Sequence, residues 1–325
     1  MSLEVAERRF RLAQAFTISR GSRTEARVVE VRLSDGEASG MGECVPYARY
    51  GETVESVIAQ IEGLQSAIDG GLDRAGLQKA LPAGAARNAV DCAYWDLEAK
   101  RAGRPAWALA GLPEPGPEIT AYTLSLDEPD AMRAAAADNA HRPLLKIKLG
   151  GEGDLARLRA VREGAPHSRL VIDANEGWDA DAYLALAPEL VALGVEMVEQ
   201  PLPASNDAAL AGLNRSLPVC ADEAAHDRAT LPALAGKYDM VNIKLDKTGG
   251  LTEALEMRRE AEAAGFRIMV GCMIGSSLAM APALLIAQGA AVTDLDAPLL
   301  LAEDRDPPMP YDAAGIHPAP SALWG

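Results

Sequence analysis

The sequence predicts an α/β protein in which a β/α barrel follows a smaller α+β domain. From about residue 118 onward, short runs of β-branched and aliphatic residues alternate with helical stretches rich in Ala, Leu, Glu and Arg, an order typical of a parallel sheet. Residues near the ends of these runs recur at an even step. Before residue 118 the apolar residues alternate as they do in antiparallel strands.

Eight candidate strands define the barrel. They are EITAYTL (118–124), LLKIKL (144–149), RLVIDAN (169–175), VEMVEQ (195–200), PVCADE (218–223), MVNIKL (240–245), RIMVGCM (267–273) and AVTDLD (291–296). One residue near the C-terminal end of each marks the repeat, at intervals of 22 to 27 residues: Thr123, Lys148, Asp173, Glu199, Asp222, Lys244, Gly271 and Asp296. That interval fits one strand, one helix and two short loops. Eight such units close into a barrel whose chemistry lies at these strand ends.

The N-terminal part has another pattern. The segment ARVVEVRLSDGEASGMGECVPY (26–47) alternates around the turn residues Asp35-Gly36 and predicts antiparallel strands. Residues 52–68 and 81–102 carry apolar positions at three- and four-residue spacing, which predicts helices. We therefore divide the chain into an α+β domain (1–115), the barrel (116–298) and a Pro-rich tail (299–325) that returns to the first domain.

The composition excludes several classes of protein. About half of the 325 residues are apolar and about a quarter are charged, as in globular proteins. The absence of a signal region or a long apolar run predicts a cytoplasmic protein without membrane contact. A net charge of −16 argues against binding to nucleic acid. The cysteines form no CxxC pair, which argues against a zinc ribbon or a disulfide framework: Cys44, Cys92, Cys220 and Cys272.

Two lysines interrupt the apolar strand LLKIKLGG (144–151). Because side chains alternate along a strand, Lys146 and Lys148 share one face and the apolar residues take the other. An isolated pair of this kind would suit an edge strand with a solvated face. A buried lysine, in contrast, has to be paired or chemically useful.

Three carboxylates end successive strands: Asp173, Glu199 and Asp222. Each one alone could cap a helix or bind a loop. Brought together at one barrel mouth they would repel one another, so a cation is expected between them. Oxygen ligands without His or Cys nearby favour a hard ion, and the predicted cofactor is Mg²⁺, one per subunit.

The lysines flank this site, since Lys148 lies on the strand before Asp173 and Lys244 lies on the strand after Asp222. Two ammonium groups on opposite sides of a barrel mouth suit the removal of a proton from one face of a carbon and its return to the other face. A divalent metal on the neighbouring carboxylate would stabilise the enediolate. Lys148 is the predicted base, and Lys146 is expected to tune it and to contact the substrate carboxylate.

The motifs KIK, DAN, EQP, ADE and NIKLDKTGG, in this order, resemble the enolase superfamily, muconate-lactonizing subgroup. The resemblance covers essentially the whole chain and implies a modified (β/α)7β barrel with an N-terminal capping domain. It matches Asp173, Glu199 and Asp222 to the metal ligands. It matches Lys148 and Lys244 to the acid/base pair. The mandelate racemase branch uses a histidine on a late strand and is disfavoured, because all four histidines fall outside the strand ends: His141, His167, His226 and His317.

Substrate selection has to come from other residues. Asp294 and Asp296 in TDLD share a strand face and could hold an ammonium group, although a solvated turn is an alternative. In similar dipeptide epimerases a DxD at this position binds the free amino group of the dipeptide. The resemblance therefore favours an epimerase of L-Ala-L-Glu or L-Ala-D-Glu. It implies a role in murein peptide metabolism and cell-wall recycling, and it is compatible with a homo-oligomer.

Two cap segments are expected to close over the substrate. Arg20 and Arg23 lie in a predicted loop (19–27) where one arginine could bind a glutamate side chain, although both could be surface charges. Tyr50 lies in a second loop (46–53). Four further residues are expected to contact the substrate: Thr123, Asn175, Cys272 and Met273.

Three alternatives stay open on the sequence alone. An o-succinylbenzoate synthase would use Lys148 as the base and Lys244 as electrostatic support. An N-succinylamino acid racemase would act on a substrate that lacks the amine, which Asp294 and Asp296 disfavour. Outside enzymes, the chain could be a metal-stabilised barrel that only binds peptides.

Overall fold

The N-terminal domain is a three-stranded antiparallel sheet covered by helices. The computed structural model describes residues 1–18 and 20–325. The strands are β1 (Ser2–Ile18), β2 (Gly21–Asp35) and β3 (Ala38–Cys44). The helices are α1 (Val54–Glu62), α2 (Gln65–Asp69), α3 (Arg74–Ala80), α4 (Ala85–Ala102) and α5 (Ala106–Leu109). Helix α4 packs so closely on β3 that a Cβ at Gly42 would lie 2.0 Å from the carbonyl oxygen of Ala89. Glycine is therefore required at this contact.

The hairpin of β1 and β2 corrects one expectation. The predicted loop 19–27 is strand from Gly21 onward, and Ser19 lies outside the described residues. The strands pair as far as Ile18 and Gly21, with a register shift between Arg11 and Phe16. Strand β1 had no alternating signal of its own, because charged and small residues occupy much of it. Pairing with the strongly patterned β2 determines its conformation.

The barrel confirms the predicted fold class. Its eight parallel strands are neighbours in sequence order, and a bridge from Thr120 to Thr293 brings the first and last together. They are β4 (Tyr122–Leu124), β5 (Leu144–Lys148), β6 (Arg169–Asp173), β7 (Val195–Glu199), β8 (Val219–Ala221), β9 (Met240–Ile243), β10 (Arg267–Gly271) and β11 (Val292–Asp294).

The barrel helices follow the strands, with one exception. They are α6 (Pro129–Asp138), α7 (Asp154–Gly164), α8 (Ala180–Ala192), α9 (Leu231–Leu234), α10 (Leu245–Thr248), α11 (Leu251–Ala263), α12 (Ser277–Ala287) and α13 (Ala297–Leu300). Between β7 and β8 the chain forms only 3₁₀ turns, at Ala204–Asn206 and Ala208–Gly212.

An apolar layer closes the bottom of the barrel interior. It takes one buried side chain from each strand or its start: Ala121, Leu144, Val171, Met197, Cys220, Met240, Met269 and Val292. Because side chains alternate, the inward positions two and four residues later lie nearer the C-terminal ends of the strands. Those positions carry the polar residues of the predicted site. The apolar layer therefore separates these polar residues from water at the N-terminal end of the barrel.

The C-terminal tail packs on the N-terminal domain. Arg305 forms an ion pair with Glu30 at 2.6 Å, and the Trp324 indole donates a hydrogen bond to the Cys92 carbonyl oxygen at 3.0 Å. The tail also contains a small hairpin of β12 (Tyr311–Asp312) and β13 (Gly315–Ile316). In the described residues, none of the helices has the length and apolar character needed to span a membrane.

Candidate active site

Three carboxylates meet at the C-terminal ends of adjacent strands. Asp173 and Glu199 are the last residues of β6 and β7, and Asp222 directly follows β8. All three are buried, and one oxygen from each lies within 4.8 Å of the others. Strand pairing sets this proximity, because Asp173 is in register with Glu199 across β6 and β7.

A lysine lies on either side of the carboxylates. The Lys148 ammonium donates to Asp173 Oδ2 at 2.6 Å, and the Lys244 ammonium donates to Asp222 Oδ2 at 2.8 Å. Lys148 ends β5 and Lys244 follows β9, and these strands are four places apart in the eight-stranded barrel. The two amines therefore approach the barrel mouth from opposite sides.

Lys146 lies deeper, among the carboxylates. Its ammonium is 2.7 Å from Glu199 Oε2, 2.7 Å from Asp294 Oδ2 and 3.1 Å from Asp173 Oδ2. Burial by itself would lower the pKa of Lys146, but Asp294 and Glu199 raise it well above its usual value. Lys146 therefore supplies a fixed positive charge inside the acidic cluster.

The carboxylates do not carry their charges equally. Burial and the neighbouring Asp173 raise the pKa of Glu199 to about 7. Burial also acts against ionisation of Asp222, but Lys244 and Lys247 keep its pKa well below the usual value. This split is expected where several acids share one buried site and positive charge is insufficient for all of them.

The donor set fits a hard divalent cation. Its three ligand atoms are carboxylate oxygens at adjacent strand ends, which Mg²⁺ prefers over softer metals. The raised pKa of Glu199 is a second indication, because a cation between the three groups would compensate the charge that the lysines leave. Asp173, Glu199 and Asp222 are the residues that would hold the ion.

A cavity of about 480 Å³ opens above this cluster, between barrel and cap. Apart from Asp173 and Glu199, which lie beneath it, every residue predicted to act in catalysis, metal binding or substrate binding lines this cavity. They are Arg20, Arg23, Tyr50, Thr123, Lys146, Lys148, Asn175, Asp222, Lys244, Cys272, Met273, Asp294 and Asp296. None of the four histidines lines it, within the described part of the chain.

The two aspartates of the last strand have different partners. Asp294 Oδ2 accepts from Lys146, whereas Asp296 Oδ2 accepts from the backbone N–H of Thr123 at 2.6 Å. Burial and the nearby Asp294 raise the pKa of Asp296 to about 6. Both carboxylates lie on the cavity wall, where they give the pocket an anionic side.

The two arginines of the cap hairpin are used differently. Arg20 is engaged within the protein, since it donates to Glu223 Oε1 at 2.8 Å and to the Asn175 carbonyl oxygen at 2.9 Å. The Arg23 guanidinium lies 5.6 Å from the centre of the Tyr47 ring and forms no ion pair with any described residue. Arg23 is thus the arginine whose charge remains available in the cavity.

Several residues of the site were not predicted from the sequence. Lys247 is fully buried and donates to Asp222 Oδ1 at 2.6 Å, and Asn242 donates to Glu199 Oε1 at 2.7 Å. Both lie inside NIKLDK, and Asn242 could have been found because it shares the strand face of Lys244. Glu223 follows a predicted ligand directly. The Arg49–Glu176 pair joins two distant segments, and no local pattern indicated it.

Fold and site together define a capped β/α-barrel enzyme with an acidic metal site between two lysines. Family models match both parts, as mandelate racemase/muconate lactonizing enzyme, N-terminal domain (residues 1–111), and as enolase C-terminal domain-like (residues 130–317). The chain belongs to this mandelate racemase/muconate lactonizing enzyme family of the enolase superfamily.

Its relatives include racemases and epimerases. The chain is 47% identical to the L-Ala-D/L-Glu epimerase of Escherichia coli K12 over 97% of its own length and 99% of the relative's. It is 44% identical to an N-acetyl-D-glutamate racemase of a Pseudoalteromonas species, with 92% and 95% covered. A crystal structure of an Agrobacterium tumefaciens enolase family member with homology to dipeptide epimerases, with bound sodium and L-Ala-L-Glu, is 54% identical, covers 99% of both chains and has a TM-score of 0.97.

Proposed function

We propose that this protein is an L-Ala-D/L-Glu epimerase that inverts the α-carbon of the C-terminal residue by a 1,1-proton transfer. The observation that carries the proposal is the placement of Lys148 and Lys244 on opposite sides of one cavity, each hydrogen-bonded to a carboxylate of the acidic cluster. Nζ of one lysine removes the α-proton from one face. Nζ of the other donates a proton to the opposite face, and the roles exchange with direction.

The metal site would stabilise the intermediate that forms between the two proton transfers. Asp173, Glu199 and Asp222 would hold one Mg²⁺ per subunit. When bound, the ion would compete with the lysines for the carboxylate oxygens and stabilise the negative charge that deprotonation places on the substrate carboxylate. Lys146, which lines the cavity and is fixed by Glu199, would hold that carboxylate in place.

The cavity walls suit a dipeptide with a free amino group and an acidic side chain. Asp294 and Asp296 would bind the ammonium group, and Arg23 would bind the glutamate carboxylate as a forked donor. The names of the relatives support the same substrate class. A cytoplasmic role in murein peptide recycling would follow from such a substrate, which is released from cell-wall peptides.

An N-acylglutamate racemase is the second candidate, because one relative of 44% identity is named an N-acetyl-D-glutamate racemase. Its substrate has no ammonium group, so Asp294 and Asp296 would have no group of the substrate to bind. The o-succinylbenzoate synthase and the non-catalytic peptide binder are weaker alternatives, since their functions leave the second lysine or both lysines without a proton to transfer.

One experiment separates these functions. The enzyme is incubated with Mg²⁺ in deuterated water, with L-Ala-L-Glu in one sample and N-acetyl-L-glutamate in the other, and α-deuterium and optical purity are followed by NMR and chiral chromatography. An epimerase should exchange the α-proton of L-Ala-L-Glu and epimerise this dipeptide far faster than it acts on N-acetyl-L-glutamate. A preference for the N-acetyl compound would replace the proposal by the second candidate, and no exchange in either sample would support a binding protein.

Lys148 and Lys244 can be tested in the same assay. Replacing either one by alanine should reduce epimerisation by at least ~100-fold, which is the usual contribution of a positioned acid or base. The remaining lysine should still exchange the α-proton of one enantiomer, so Lys148→Ala and Lys244→Ala should act on opposite enantiomers. Equal exchange of both enantiomers by both variants would contradict the assignment.

A further inference from the structure

Three residues that follow the metal-site strands have left-handed backbone. Asn175 and Glu176, after Asp173, have φ of 45° and 65°, and Gln200, after Glu199, has φ of 35°. Non-glycine residues adopt this conformation rarely and keep it only where surrounding contacts hold it. The contacts that hold these positions therefore bear on the geometry of the carboxylates.

The left-handed turn at Asn175 supports Asp173 directly. The Asn175 backbone N–H donates to Asp173 Oδ1 at 2.9 Å. The next N–H, of Glu176, donates to the Gln200 carbonyl oxygen at 2.9 Å and ties the turn to the end of β7. Gln200 continues the chain of contacts, because its side-chain oxygen accepts from the Asp222 N–H at 2.9 Å. All three strand ends of the metal site are thus joined by one set of hydrogen bonds.

Two arginines of the N-terminal domain hold the outer side of this set. Arg20 donates to the Asn175 carbonyl oxygen at 2.9 Å and to Glu223 at 2.8 Å. Arg49 donates two parallel hydrogen bonds to Glu176, from Nε to Oε2 at 2.9 Å and from Nη2 to Oε1 at 2.7 Å. Such a fork fixes the orientation of a carboxylate as well as its charge. The Glu176 side chain is 10% exposed and the Arg49 side chain 37%, so the carboxylate is largely buried while the arginine reaches the surface.

We propose that Arg20 and Arg49 are positioning residues through which the N-terminal domain holds the metal ligands, by keeping the turn at Asn175 and Glu176 in its left-handed form. The inference rests on the metal site of the proposed function. Without Arg49, Glu176 loses its forked partner and the turn can relax toward ordinary backbone angles. The Asn175 N–H then moves away from Asp173, and the ion loses an oriented ligand.

The test measures the metal and leaves the dipeptide out. Mg²⁺ alone is titrated calorimetrically into metal-free full-length protein carrying Arg49→Met, Glu176→Gln or both changes. Arg49 is used because, among the described residues, its side chain donates hydrogen bonds only to Glu176, whereas the Arg20 side chain also donates to Tyr47 and Glu223. Each single variant should raise the Kd for Mg²⁺ about tenfold, the lower end of what residues behind metal ligands usually contribute. The double variant should add little more, since both changes break the same contact.

A matched control is the pair Arg159–Glu189 between α7 and α8, also 2.9 Å apart but with side chains 54% and 43% exposed. Arg159→Met should leave the Kd for Mg²⁺ unchanged, and Arg49→Lys, which keeps the charge without the fork, should fall between wild type and Arg49→Met. A Kd for Arg49→Met within twofold of wild type, in folded protein, overturns the proposal. Because no dipeptide is present, this outcome is independent of whether the protein is an epimerase.

Discussion

Lys247 is predicted to be a major determinant of stability, although it lies outside the set of residues that the sequence pointed to. Its ammonium donates to Asp222 Oδ1 at 2.6 Å, to the Asp222 carbonyl oxygen at 2.6 Å and to the Asn242 carbonyl oxygen at 3.0 Å. The side chain has no exposed surface. Lys247→Met keeps the length of the side chain and removes all three donated hydrogen bonds.

The magnitude follows from what the substitution leaves behind. Asp222 keeps Lys244 as a partner, but one carboxylate oxygen and two carbonyl oxygens lose a buried donor. Breaking one partner of a buried ion pair typically costs about 3 to 5 kcal/mol. We therefore expect the free energy of unfolding of the metal-free protein to fall by about 4 kcal/mol in Lys247→Met.

Urea-induced unfolding, followed by circular dichroism at pH 7, measures this quantity. Arg159→Met is the control, because it breaks an exposed ion pair and should change the free energy of unfolding by less than about 1 kcal/mol. If Lys247→Met lost no more than this control at an equal urea dependence, the buried contacts of Lys247 would not stabilise the fold and the reasoning would be refuted.

Three further predictions concern pH, packing and the metal. Burial raises the pKa of Asp91 from 3.8 to about 6, against hydrogen bonds from Thr252 and Gln78, so the folded state binds a proton more tightly. Stability relative to Asp91→Asn should therefore decline as pH rises from about 4 to about 6, by about 3 kcal/mol in urea titrations; a pH-independent difference would contradict this. Gly42→Ala should destabilise by at least ~2 kcal/mol in thermal unfolding because the new Cβ would clash with α4, whereas Gly212→Ala, which meets no atom within 4 Å, should be neutral. Removing divalent cations with EDTA should lower α-proton exchange at least ~100-fold and added Mg²⁺ should restore it, and full exchange in EDTA would exclude a metal role.

The positions of the charged residues on the barrel strands could be predicted from the sequence. Alternation placed Lys146 and Lys148 on one face, and even spacing placed Asp173, Glu199 and Asp222 at one end of a barrel. These inferences depend on two periodicities, one within the strand and one between β/α units, and both are properties of the chain itself. The eight-stranded barrel with its N-terminal domain confirms the fold class that they predicted.

Tertiary structure decided the contacts between distant segments. Arg20 and Arg23 are equivalent in a sequence pattern. Only the approach of the cap hairpin to β8 pairs Arg20 with Glu223 and leaves Arg23 without an ion pair among residues 1–18 and 20–325. The long strand β1 has no clear period of its own and is ordered by β2. The Arg49–Glu176 fork joins residues 127 positions apart. Such contacts depend on how the cap docks on the barrel. Local sequence patterns describe neighbouring residues and therefore do not show which distant residues this docking brings together.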